Sequence, residues 1–249
     1  MKFRHLIVLS SSYKLGKRIA IHLLDTEDDL VTLDGITNLD IFKYCSVYNV
    51  ETDSDTWDSV VEYDGFYEDI YICSDSKEFV DLINADRDIS VFDLSKYILV
   101  FLKKRSISCS HLKLQKLAYF CYEKYLISYK KKLFNEKIYA WKYGPVIKSL
   151  YDSVKQSENS TVDLDSYVKQ SKNLTVDLDS YTTRQRIIFS DDGFDKLRII
   201  DEVLEEYGEL SADRLVDLSH KEGTAWSTWD RETMNYEITD ELILKNLIS

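Results

Sequence analysis

Apolar positions along the 249-residue chain change their spacing near residue 90. Before it they fall in short β-compatible runs. Residues 3–10 and 17–24 are such runs, and 41–50 alternates β-branched and aromatic residues with polar ones, a strand pattern. Residues 68–73 form a further strand. The acidic stretch 25–29 reads as a polar turn before 30–33. Residues 74–84 read as a short helix with Ser76 as N-cap and Phe79, Val80, Leu82 and Ile83 as its apolar side. This mixture predicts a small α/β or β-rich domain over 1–90, ending in the polar hinge 85–90.

From residue 91 the spacing becomes helical. Phe92, Leu94, Tyr97, Ile98, Phe101 and Leu102 recur every three or four positions over 91–105. Ser110 is placed to cap a helix over 111–129, whose apolar face runs Leu114, Leu117, Ala118, Cys121, Tyr122, Tyr125 and Tyr129. Lys113, Lys116 and Lys124, with Phe120 among them, form another side, expected to be the helix's outlet to solvent. Lys130, Lys131 and Lys132 suit the negative end of that helix. Residues 137–144 read as a strand, and Gly144 before Pro145 as a sharp corner at which Pro145 opens the next helix. Residues 184–190 read as a strand. Helices follow over 190–208, capped by Asp191 or Asp192 and stopped by Gly208, over 209–223 with Ser211 as N-cap, and over 238–249. The expected fold class is therefore α+β: a mostly helical domain over 91–249 with a small β element, behind the mixed N-terminal one.

Residues 154–167 and 168–181 are near-identical copies, VKQSENSTVDLDSY and VKQSKNLTVDLDSY. Two polar 14-residue copies do not make a solenoid. They read as a surface insertion at a tolerant site.

Charge changes this picture. The net is −12, but 103–148 holds 12 bases and 2 acids between two acidic flanks, each of net −11. Either the parts neutralise each other within the fold, or the basic stretch faces an acidic partner. No apolar run is long enough to span a bilayer and no signal-peptide core begins the chain, so a cytoplasmic location is expected. Cys45, Cys73, Cys109 and Cys121 lie far apart with no C-x-x-C pair, so buried thiols are expected, with no metal and no cofactor. The acids Asp25, Glu27, Asp28 and Asp29 lack a calcium-loop pattern. Gly16-Lys17 is an isolated fragment of a phosphate loop. His220, at a helix end before Trp226, is the one tempting base. Capping and packing on Trp226 is the preferred reading, with Trp141 also structural.

Three motifs carry a family resemblance. They are Leu114-Gln115-Lys116-Leu117 with Tyr119-Phe120, then Leu133-Phe134 and Ala140-Trp141-Lys142-Tyr143-Gly144-Pro145-Val146, and then Leu218-Ser219-His220 before Ala225-Trp226. In order and spacing, residues 93–230 resemble the Panacea-domain family of SocA-like antitoxins, also met as phage-associated proteins. The resemblance implies a mostly helical domain, no enzymatic activity, and neutralisation of a cognate toxin by direct contact. It also implies, for one branch of the family, delivery of the toxin to a protease. The expected partner is a toxin encoded by the adjacent gene. The expected contact residues are Lys113, Lys116, Phe120, Lys124, Tyr143, Gly144 and Pro145. Gln115, Tyr119, Trp141, His220 and Trp226 are expected to be structural. Two other readings remain open: a nucleic-acid-binding regulator of its own operon, which the acidic net charge opposes, and an enzyme using His220.

Overall fold

The computed structural model describes residues 2–154 and 180–246. The tandem repeat therefore lies, apart from its two ends, outside the described residues. The chain divides into two compact units, Met1–Asp88 and Ile89–Ser249.

The first unit is a four-stranded sheet in the order β3-β1-β2-β4, built from β1 (Phe3–Ser12), β2 (Lys17–Leu24), β3 (Ser46–Thr52) and β4 (Tyr71–Ile72). β1 runs antiparallel to both β2 and β3, and β4 runs parallel to β2. Strand side chains alternate between faces. Val8, Ile19 and Ile21 pack with Ile36 of α1 (Glu27–Thr37) and with Phe79 and Ile83 of α3 (Ser76–Arg87). Ile7, Leu9, Ala20 and Val50 pack with Val60 of α2 (Trp57–Tyr63) and with Tyr67. Residues 10–17 are the ends of the β1–β2 hairpin and its turn, in which Gly16 takes φ +63°.

Three local expectations change here. The acids at 25–29 are not a free turn, because Glu27, Asp28 and Asp29 form the first turn of α1. The Thr26 side chain accepts from the Asp29 amide, Asp29 accepts from the Leu24 amide, and the carboxylates complement the helix's positive end. Residues 41–50 are not one strand. A 3-10 turn, Asp40–Tyr44, precedes β3 because Ile41 and Phe42 enter the same apolar cluster, which strand alternation forbids. The cap of α3 is Asp75, one residue before Ser76, accepting from the Glu78 amide at 2.8 Å.

The second unit is built around α5 (His111–Tyr129). It packs against α4 (Val91–Lys104), α6 (Lys148–Val154), α8 (Gly193–Tyr207), α9 (Ala212–Ser219) and α10 (Asp240–Lys245), and against the sheet β6-β5-β7. The strands are β5 (Ile138–Trp141), β6 (Gly144–Ile147) and β7 (Tyr236–Glu237). Ser90 and Asp93 make a reciprocal capping box on α4, Ser110 caps α5 and Ser211 caps α9. Residues 184–190 are not a strand: 184–188 end α7 (Ser180–Ile188), whose Thr183, Arg186 and Ile187 are buried at 3–4 spacing, and 189–190 begin the turn after it. Pro145 does not open a helix. It sits in the edge strand β6, where a residue without an N–H is tolerated, and α6 starts only at Lys148.

Candidate functional site

The three motifs converge on one buried clasp. Gln115 and Lys116 are adjacent on α5, and both reach the backbone of β6. The Gln115 amide behaves like a missing strand neighbour of Ile147: its Oε1 accepts from the Ile147 N–H at 2.9 Å and its Nε2 donates to the Ile147 carbonyl at 3.3 Å. Lys116 Nζ donates to the Pro145 carbonyl at 2.8 Å. A peptide segment crossing a helix must place its polar groups somewhere, and this pair takes them.

Gly144 is required by both space and conformation. Its φ is +99°, and a Cβ there would lie 2.6 Å from Lys116 Nζ and 2.6 Å from Ser219 Oγ. On the far side, Trp226 Nε1 donates to the Trp141 carbonyl at 2.8 Å. The His220 ring stacks flat on Trp226, centroids 3.5 Å apart, and the Arg231 guanidinium lies 3.7 Å from the Trp226 ring centre. His220 is also the C-cap of α9. The sequence motifs did not single out Arg231, because its partner is close only through the turn that follows Trp226.

Electrostatics follow from burial. Lys116 is fully buried, and loss of solvation brings its ammonium down to about 7. His220 is lowered by burial first and then by the nearby Lys116 and Arg231 charges, which favours neutral imidazole. Its Nε2 is buried with no hydrogen-bond partner among the described residues. Burial pushes Cys109 up to about 12 and raises Cys121 too, so neither is a ready thiolate. Among the described residues no group of three or more His, Cys, Asp or Glu side chains is placed to hold a metal.

The expected solvent-facing lysine stripe is corrected. Lys113, Lys116 and Phe120 are buried, as are Gly144 and Pro145. The cause is the enclosure of α5 over Lys113–Tyr122, every residue of which is buried: Phe120 packs on Tyr119 and Tyr207, and Lys116 turns into the clasp. Two expected contact residues reach the surface. Lys124 pairs with Glu202 and Glu206, each at 3.5 Å, and Tyr143 is 59% exposed on the β5–β6 turn with Lys142 over its ring. Gln115, Tyr119 and Trp226 are buried, and Trp141 is half-buried.

The basic segment meets acids of the same unit. Lys131 pairs with Asp192, Lys137 with Glu237, Arg105 with Glu205 and Lys132 with Asp240. Tyrosines join them: Tyr122 donates to Asp240, Tyr129 to Asp195 and Tyr97 to Asp201. With Lys124 and Lys148, at least six of the twelve bases of the segment are thus neutralised within the unit. Beside Lys124 an open groove of about 850 Å³ is lined by Phe194, which is 76% exposed, and by Leu197, Arg184, Arg198 and Glu202.

The second unit is thus a mostly helical fold around one central helix, with the three sequence motifs locked into a clasp. Residues 114–227 match the family model described as antitoxin SocA-like, Panacea domain. The match lies wholly within the second unit, on a narrower stretch than the 93–230 of the resemblance. No curated protein and no solved structure matches the chain. No helix among the described residues is long and apolar enough to cross a membrane.

Proposed function

We propose that this chain is the antitoxin of a toxin–antitoxin pair, and that it neutralises a cognate toxin by direct protein–protein binding without catalysing a reaction. The match of residues 114–227 to the SocA-like antitoxin domain carries the reading. It is supported by the chemistry of the clasp, whose lysine and serine donate to backbone carbonyls and whose histidine ring stacks on Trp226. A nucleic-acid role draws little support from the basic segment, since at least six of its twelve bases, Arg105, Lys124, Lys131, Lys132, Lys137 and Lys148, are paired with carboxylates.

Lys113, Lys116, Phe120, Gly144 and Pro145 hold the frame in this reading. Tyr143 and the groove with Lys124 and Phe194 supply the contact, because exposed aromatics beside charged side chains suit a protein interface. The toxin is encoded by the neighbouring gene, the pair acts in the cytoplasm, and hand-over of the toxin to a protease is a further step. Expression of the neighbouring gene alone should arrest growth, and co-expression of this chain should relieve the arrest. A neighbour that is harmless in every pairing would sink the proposal. Phe194→Asp and Tyr143→Ser should weaken capture of the toxin by roughly tenfold or more while leaving the melting temperature unchanged. Undiminished capture by both variants would remove this surface from the account.

A further inference from the structure

We propose that two copies of this chain join through the outer edge of β3, so that their four-stranded sheets become one continuous sheet across a two-fold axis. The two edges of the sheet are treated differently. At one end, β4 is only two residues long, too short to template another strand. At the other, β3 is seven residues long and pairs with β1 in unbroken register from Ser46 to Thr52, with no bulge. The sequence SVYNVET has no proline and no lysine, the residues that usually blunt an edge. In an antiparallel pair, alternate residues turn their N–H and C=O groups away from the partner. Among the described residues, no backbone group pairs with that outer side of β3. Val47 is 44% exposed, and Asn49 and Glu51 are exposed beside it.

The strand is complementary to itself. Side chains on opposed strands must share a face, so a two-fold axis must pass through one residue and its own copy. Centring it on Asn49 pairs all seven residues, and any other centre leaves one end unpaired. In that register Asn49 meets Asn49 of the second copy, Tyr48 meets Val50, Val47 meets Glu51 and Ser46 meets Thr52. An aromatic sits opposite a β-branched residue, the amides can bond each other, and no like charges are opposed. Glu51, the only charged residue of β3, lies across from an apolar one while keeping its ion pair with Arg4. Each copy brings an acidic first unit with a net of −11, so added salt should strengthen the association.

Sedimentation of the full chain tests this. At roughly 100 µM and physiological salt the particle should approach twice 29.2 kDa, falling towards one copy on dilution. Asn49→Lys and Asn49→Asp each oppose like charges at the axis and should raise the dimer dissociation constant roughly tenfold. An equimolar mixture of the two variants should recover the dimer, because the axis then opposes unlike charges. Tyr71→Lys, on the β4 edge, should change nothing. A chain that stays monomeric at the highest concentration and salt, or a dimer that both Asn49 variants leave intact, overturns the proposal.

Discussion

Lys116 shows what a buried ammonium costs and what it holds. Its amine titrates near 7 in the folded chain and near about 10.4 when unfolded. Between those values the unfolded chain binds the extra proton, so folding stability rises with pH there, by at most about 1.4 kcal/mol per pH unit from this one group. Below about 7 both states are protonated, and the desolvation penalty is present in full. Lys116→Met removes that penalty and also the bond to the Pro145 carbonyl. The melting temperature of the wild type, taken relative to Lys116→Met, should therefore climb from pH 7 to pH 9. A difference that does not change with pH would contradict the burial argument. Gly144→Ala acts on the same clasp: a Cβ would press on Lys116 Nζ and Ser219 Oγ at 2.6 Å and would hold an unfavourable φ. We expect a loss of about 2 kcal/mol, read from the denaturant midpoint at unchanged slope.

At the level of elements, what could be read from the sequence is what is decided locally. The serine caps of α5 and α9 and the apolar periods of α4 and α5 each depend on residues within one or two turns, so pattern and structure agree; on α8 the period holds at Leu197, Ile200 and Leu204, while Phe194 on the same spacing is 76% exposed. The clasp motifs were visible as a constellation. Their roles were not, because the burial of Lys113 and Lys116 depends on neighbours up to a hundred residues away. The same holds for residues 184–190, whose apolar and β-branched run looks like a strand until α4 and α8 cover one side of it as a helix. Pro145 was misplaced because a proline suits either a helix start or a sheet edge, and only the pairing with β5 decides. The α7–α8 corner shows this dependence on packing most sharply. A Cβ on Gly193 would lie 2.2 Å from the Ile188 carbonyl oxygen and 2.3 Å from that of Ile187. Those atoms are backbone and cannot swing aside as Lys116 can. Gly193→Ala should therefore cost roughly 3 kcal/mol, more than Gly144→Ala, with the reverse order in thermal melts telling against this comparison.

Across the whole molecule, charge and core are both partitioned. Residues 1–88 hold 19 acids and 8 bases, whereas 89–249 hold 25 and 24, so almost the entire net of −12 belongs to the first unit. The apolar clusters follow the same division: two are drawn wholly from the first unit and one from the second. A unit with its own core can fold alone. The fragment 89–249 should accordingly melt in one cooperative transition and, on the proposed function, should still capture the toxin. What it should lose is electrostatic reach. Association rates of oppositely charged proteins fall steeply with ionic strength, and nearly neutral partners show little such dependence. If the toxin is basic, the on-rate of the full chain should drop as salt is raised, while that of 89–249 should be lower at low salt and almost flat. Equal salt slopes for the two would mean that the acidic unit takes no part in steering. A fragment without a cooperative melt would mean that the second core depends on the first unit, against the division seen in the clusters.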